Sequence, residues 1–240
     1  MTFDLFFIVL ILFIASFVQG FSGFGLAIIS IPLLSLFLNI KHVIPLVALL
    51  GLLLNLLLFI ELRKNIKFND LINLYFGSII GIPLGIYFFT IADVKVLKGI
   101  VATILLIFVT INFIKNLQIK SVKPIYGYLT GLFAGFLGGA INTNGPPVLI
   151  YQKMISQNKT NFKSSITGYY IVNSLIIVSL HFATGITQKF VIINFIQFSP
   201  IIILGYYLGN KVFNKINTVF FNKIILFLLL FIAIVIITNI

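Results

Sequence analysis

The chain has 240 residues, 60% of them hydrophobic and only 8% charged, with a net charge of +12 and no cysteine. Globular domains carry about a quarter charged residues, so this chain cannot cover a water-facing surface, and its mean hydropathy of +1.21 marks an integral membrane protein. The absence of cysteine excludes disulfides, thiolate metal sites and redox relays, and lysines scattered between apolar runs form no face or tail for nucleic acid.

Apolar runs separated by Gly, Pro, Asn or Lys fall at 4–19, 24–38, 43–60, 70–90, 96–113, 124–139, 146–155, 164–182, 189–208 and 219–238. They are continuous and lack the period-2 alternation of barrel strands, which makes them helices. The first run has no positive segment before it and no clear cleavage site, so it reads as a helix and not as a removed signal peptide. A full crossing needs about 20 residues, and the second and seventh runs fall short of it. Each follows a glycine-rich break and pairs with its predecessor as a bent or re-entrant unit.

The second break is the more informative. Gly131, Gly135, Gly138 and Gly139 lead into Asn142, Thr143 and Asn144, after which Gly145, Pro146 and Pro147 restart an apolar run. Proline suits the first turn of a helix and asparagine is a favoured cap, so one helix is expected to end near Gly139 and the next to begin near Pro146.

Gly20, Phe21, Gly23 and Pro32 match Gly135, Phe136, Gly138 and Pro147 at a constant offset. Asn55 pairs with Asn173, and Gly81 with Gly85 pairs with Gly205 and Gly209, although glycines four apart are common helix-packing residues and that reading suits the last set better. The ordered matches point to two halves, residues 1–120 and 121–240, of five segments each. If each short segment returns the chain to the side it came from, one face gathers Arg63, Lys64, Lys67, Lys115, Lys120, Lys123, Lys153, Lys159, Lys163, Lys211, Lys215 and Lys223. The other keeps only Lys41, Lys95, Lys98 and Lys189. The positive-inside rule selects that arrangement, with both termini outside, and an odd number of segments per half inverts the second half. The expected fold is therefore an all-α polytopic transmembrane bundle of two inverted repeats, with about eight full spans and two half-helices.

Backbone groups at a break must be buried in protein or line a wet cavity, and each break aims a helix N-terminus at a shared region, which suits an anion. Gly23, Gly25 and Gly145 allow close backbone approach, and Ser22, Asn142, Thr143 and Asn144 add side-chain donors. Gln19, Asn55, Tyr151, Gln152 and Asn173 would surround the same point in a pseudo-twofold arrangement. For Asn55 and Asn173 a bond to a neighbouring helix competes with a cavity role, and Tyr151 and Gln152 also suit an interface. Asn142, Thr143 and Asn144 are the strongest candidates, since three consecutive polar residues in a membrane break rarely serve packing alone. Asp4, Glu61, Asp70 and Asp93, the only acidic residues, lie at segment ends, which argues against cation transport and carboxylate-based proton coupling. His181, near an outer helix end, is the one candidate proton relay but reads better as interfacial, and His42 lies at a loop. No catalytic triad, metal-spaced cluster or phosphate loop is present, and no cofactor or enzymatic activity is expected.

At its breaks, Gly20-Phe21-Ser22-Gly23-Phe24-Gly25 with Pro32 and Gly135-Phe136-Leu137-Gly138-Gly139 followed by Asn144-Gly145-Pro146-Pro147, the sequence resembles the sulfite exporter TauE/SafE family of membrane permeases. The resemblance covers essentially the whole chain, including Gly81-Ile82-Pro83-Leu84-Gly85. It implies a bacterial inner-membrane carrier that exports sulfite, sulfonates or related small organic anions. The second glycine cluster is poorer in glycine and richer in amides than the family's usual form, which points to a larger or more hydrogen-bonding anion. The expected partners are a small anion and the lipid bilayer, with a homodimer as the candidate assembly. Alternatives are an anion channel, which would pass substrate without saturation, and a non-transporting membrane scaffold or assembly component.

Overall fold

The computed structural model describes residues 2–113, 123–155 and 159–212, together with residues 227, 229, 230, 233–235 and 238. Nine helices make up the continuous described stretches: α1 (Thr2–Ser22), α2 (Leu26–Leu34), α3 (Ile40–Leu62), α4 (Ile72–Ile91), α5 (Val94–Phe113), α6 (Pro124–Ile141), α7 (Gly145–Ile155), α8 (Lys159–Ala183) and α9 (Lys189–Val212). Seven of them, all except α2 and α7, are long and apolar enough to cross a membrane. The run expected at 219–238 lies for the most part outside the described residues, as do Lys115, Lys120, Lys215 and Lys223.

Both short helices turn back on their predecessors. Phe37, just past α2, stacks on Phe7 near the start of α1 with ring centroids 6.2 Å apart, so α2 returns to the end from which α1 set out. Likewise the Tyr151 hydroxyl of α7 comes against Gly127 in the first turn of α6. The first tip turns on Gly23 (φ 85) and Gly25 (φ 132), backbone that costs a side-chain-bearing residue free energy. The second turns on Asn142, which caps α6 in the left-handed region at φ 50, its N–H on the Gly138 carbonyl at 2.9 Å. Asparagine is the residue after glycine that best tolerates that conformation. Hence α6 runs two residues beyond Gly139 and α7 starts one residue before Pro146. The glycines expected to end the helix are packing residues instead.

Membrane helices associate through close van der Waals contact, which favours small residues at their interfaces. Along α4 and α6, Gly77 meets Leu132, Gly81 meets Phe136 and Gly85 meets Ala140, so position rises together on the two helices and they run parallel. A methyl group on any of these glycines would strike partner backbone. In the same way Gly205 of α9 faces Phe13 and Ser16 of α1, and Gly209 faces Phe17, again in parallel order. The packing role expected of Gly81, Gly85, Gly205 and Gly209 is what they perform. Between these two pairs α3 packs against α8, and buried Leu50, Leu54, Leu58, Ile166 and Tyr169 fill the centre. Large apolar side chains such as Phe76, Tyr87, Ile196 and Tyr207 cover the outside, where a bilayer would solvate them.

The ends of the bundle differ in charge. Glu61 at the end of α3 meets Asn210 at the end of α9, and Ile66 and Leu71 between α3 and α4 meet Gly168 early in α8. That end therefore collects Arg63, Lys64, Lys67, Lys123, Lys153, Lys163 and Lys211. Lys41, Lys95, Lys98 and Lys189 occupy the opposite end, where the His42 and Phe190 rings approach to 5.7 Å.

Candidate functional site

The tips of the two hairpins meet beside α3 and α8 around a cavity of about 50 Å³. Gln19, Gly25, Leu26, Ala27 and Ile28 line it from the first hairpin, and Asn142, Thr143, Asn144, Gly145 and Leu149 from the second. Ala48, Gly51 and Asn55 of α3 and Tyr170, Ser174 and Ile177 of α8 also line it. A water needs roughly 10–15 Å³ of such volume, so the cavity holds on the order of four waters or one compact ion.

Gln19 organises the first tip. Its Oε1 accepts the Leu26 N–H at 2.9 Å, and its Nε2 donates to Asn55 Oδ1 at 2.8 Å. The first amide of α2 is thus already capped by the protein. The next N–H groups, those of Ala27 and Ile28, have no acceptor within the helix, and both residues line the cavity. With its oxygen committed to Gln19, Asn55 keeps its Nδ2 donors without a partner among the described residues.

The second tip presents fewer backbone donors than its sequence suggested. Pro146 and Pro147 occupy the second and third positions of α7 and carry no N–H. Side chains take over this role, since Asn142 and Asn144 line the cavity. Thr143 directs its hydroxyl at the Ile141 carbonyl, 3.0 Å away. Among the described residues, no Asp, Glu, Lys, Arg or His lines the cavity. Its polarity comes from neutral hydroxyls and amides, whose N–H groups offer an anion hydrogen bonds without a fixed charge.

Several expected residues fall elsewhere. Ser22 Oγ sits within 2.8 Å of the Val18 carbonyl and 2.6 Å of the Phe24 carbonyl, tying the turn locally. Gly23 shapes that turn without lining the cavity. Tyr151 faces an apolar groove between α5 and α6, and Gln152 is buried away from the cavity wall. Asn173 donates to the Tyr169 carbonyl at 2.9 Å, its Oδ1 is buried without a partner, and its neighbour Ser174 takes the place on the wall. Tyr170 was not foreseen, although it stands four residues before Ser174 and seven before Ile177, on one face of α8. His181 is fully buried against Phe89, with ring centroids 6.2 Å apart, and is not interfacial.

The breaks also correct the register of the internal match. Gly20 and Gly135 are 115 residues apart, whereas the last residues of α1 and α6, Ser22 and Ile141, are 119 apart, as are the first of α2 and α7, Leu26 and Gly145. The positive-φ residues Gly23 and Asn142 keep the same spacing, and so do the cavity residues Asn55 and Ser174. The discrepancy is one helical turn.

A bilayer-spanning helical bundle whose two broken hairpins close on a buried polar cavity has the build of a membrane carrier. The sequence profile of the family described as Sulfite exporter TauE/SafE matches residues 8–236, and the chain belongs to that family. It is a multi-pass membrane transporter of the anion-exporter type and not an enzyme. No curated protein and no solved structure matches the chain.

Proposed function

We propose that the protein exports a compact oxyanion, with sulfite the first candidate, from the interior of a bacterial cell by alternating access of the cavity between the hairpin tips. The observation that carries this reading is the cavity itself, which gathers amide-bearing residues from both hairpins and, among the described residues, is lined by no Asp, Glu, Lys, Arg or His. Its size favours an ion of four or five heavy atoms over an extended sulfonate, which would require the tips to part.

The pairing of α1 with α9 and of α4 with α6, each parallel and each through small residues, supports a chain built of two inverted halves, 1–120 and 121–240. In such an arrangement the first hairpin enters from the end poor in charge and the second from the basic end, so rocking one half against the other exposes the cavity to either side. The positive-inside rule puts the basic end in the cytoplasm and both termini outside.

Moving one negative charge out of a cell whose interior is negative gains about 2.3 kcal/mol per 100 mV, enough to drive efflux without a coupling carboxylate. Sulfite flux in proteoliposomes under an imposed potential tests this. Transport should saturate with sulfite, and the accumulation ratio should change about ten-fold for every ~60 mV. Flux indifferent to potential would remove the voltage-driven cycle, and flux that never saturates would indicate a channel. Sulfoacetate should compete weakly.

A further inference from the structure

The least expected charge in the molecule is Lys163. It belongs to the basic end, yet it is only 3% exposed and lies inside the bundle on α8. Its Nζ donates to the Gly20 carbonyl at 2.9 Å and to Asn210 Oδ1 at 3.0 Å. Asn210 Nδ2 in turn donates to Glu61 Oε2 at 2.8 Å, and Tyr206 donates to the same oxygen at 2.6 Å. A single ammonium thereby ties the end of α1 to α8 and α9, with the compensating carboxylate on α3. Ionisable groups inside a membrane bundle are costly and mark functional elements by default.

Resting on the reading above, we infer that Lys163 is a positioning residue for the transport cycle, a latch that holds the first hairpin tip closed toward the basic end. The Gly20 carbonyl belongs to the residue after Gln19, which caps α2 and orients Asn55 in the cavity. Gly23 leaves room for the lysine stem, since a Cβ there would come within 2.9 Å of Lys163 Cγ. Counted at the spacing of the two breaks, Gly20 corresponds to Gly139 and Lys163 to Ile44. Gly139 packs on the backbone of Ile82 and Ile86, and Ile44 is buried, so no charged side chain stands at the position that corresponds to Lys163. Parting the first tip from α8 toward the basic end must therefore break the charge-assisted hydrogen bond from Lys163 to the Gly20 carbonyl, whereas the corresponding contact of the second tip is apolar. An oxyanion arriving at the basic end is an acceptor that can replace the Gly20 carbonyl on the ammonium and release the tip.

The chain lacks cysteine, so Ala48→Cys, in the cavity wall, supplies its sole thiol. The full chain in membrane vesicles of both orientations is treated with a membrane-impermeant methanethiosulfonate, with Lys163 intact, as Lys163→Met and as Lys163→Arg. We expect Lys163→Met to raise the labelling rate from the basic end by about ten-fold, from the other end by little, and Lys163→Arg to restore most of the protection. An unchanged rate, or an equal rise from both ends, would overturn the latch. Should Lys163→Met not fold, Lys163→Gln, which puts a neutral and shorter side chain in its place, must give a one-sided rise as well. Sulfite flux by the unmutated chain in the same vesicles separates the two ideas: no flux there ends the transport reading, while a two-sided or absent change in labelling ends only the latch.

Discussion

At Asn142 two demands meet on one side chain. Its backbone must sit at φ 50 to end α6, and its amide must reach the cavity. Glycine satisfies the first demand alone, and a β-branched residue satisfies neither. Asn142→Gly should keep the melting temperature within about 2 °C and still slow sulfite flux, whereas Asn142→Val should lower it by several degrees, given roughly 1–2 kcal/mol of left-handed strain. Thermal unfolding in detergent beside flux in proteoliposomes checks the pair. Equal flux in Asn142→Gly and the unmutated chain would remove the amide from the site. Asn173 shows the converse. Its sequence match to Asn55 put it on the cavity, but its amide is turned to the Tyr169 carbonyl, and Ser174 faces the cavity instead.

That displacement has a cause at the level of the helix. Gly20 and Gly23, like Gly135 and Gly138, lie three residues apart on one helix face, and a slip of four residues keeps them near that face, so their match holds one turn away from where the chain breaks. What could be read from sequence was the first nine helices, the two short ones among them, the breaks to within a few residues and the polar run Asn142 to Asn144. Which neighbour each helix chooses could not be read. Backbone close-packing at Gly77, Gly81 and Gly85 depends on a partner far along the chain, as does the burial of Lys163. The glycines of α4 lead to a test at this scale. Gly81→Leu should abolish folded protein, because even its Cβ would strike the Leu132 carbonyl, as gel filtration in detergent would show. Gly99→Ala meets nothing within 4 Å and removes a helix-weakening residue, so it should gain about 0.5–1 kcal/mol, or a few degrees of melting temperature. A loss of stability there would mean that α5 has a neighbour beyond the described residues.

For the molecule as a whole, the sorting of basic residues to one end predicts an orientation, by the positive-inside rule, that can be measured. In the cysteine-free background, Lys64→Cys should react with an impermeant reagent only from the cytoplasmic side and Lys189→Cys only from outside. The reverse pattern would invert the direction of export. The pairing of α1 with α9 also bears on how the protein is made. Gly205 and Gly209 reach Phe13 and Phe17 across 192 residues of chain, which at about 5–20 residues per second means a wait of roughly 10–40 s during synthesis. Throughout that interval the inserted first helix waits with the backbone stretch that receives Gly205 and Gly209 uncovered, and a chain that stops before α9 keeps that seam bare.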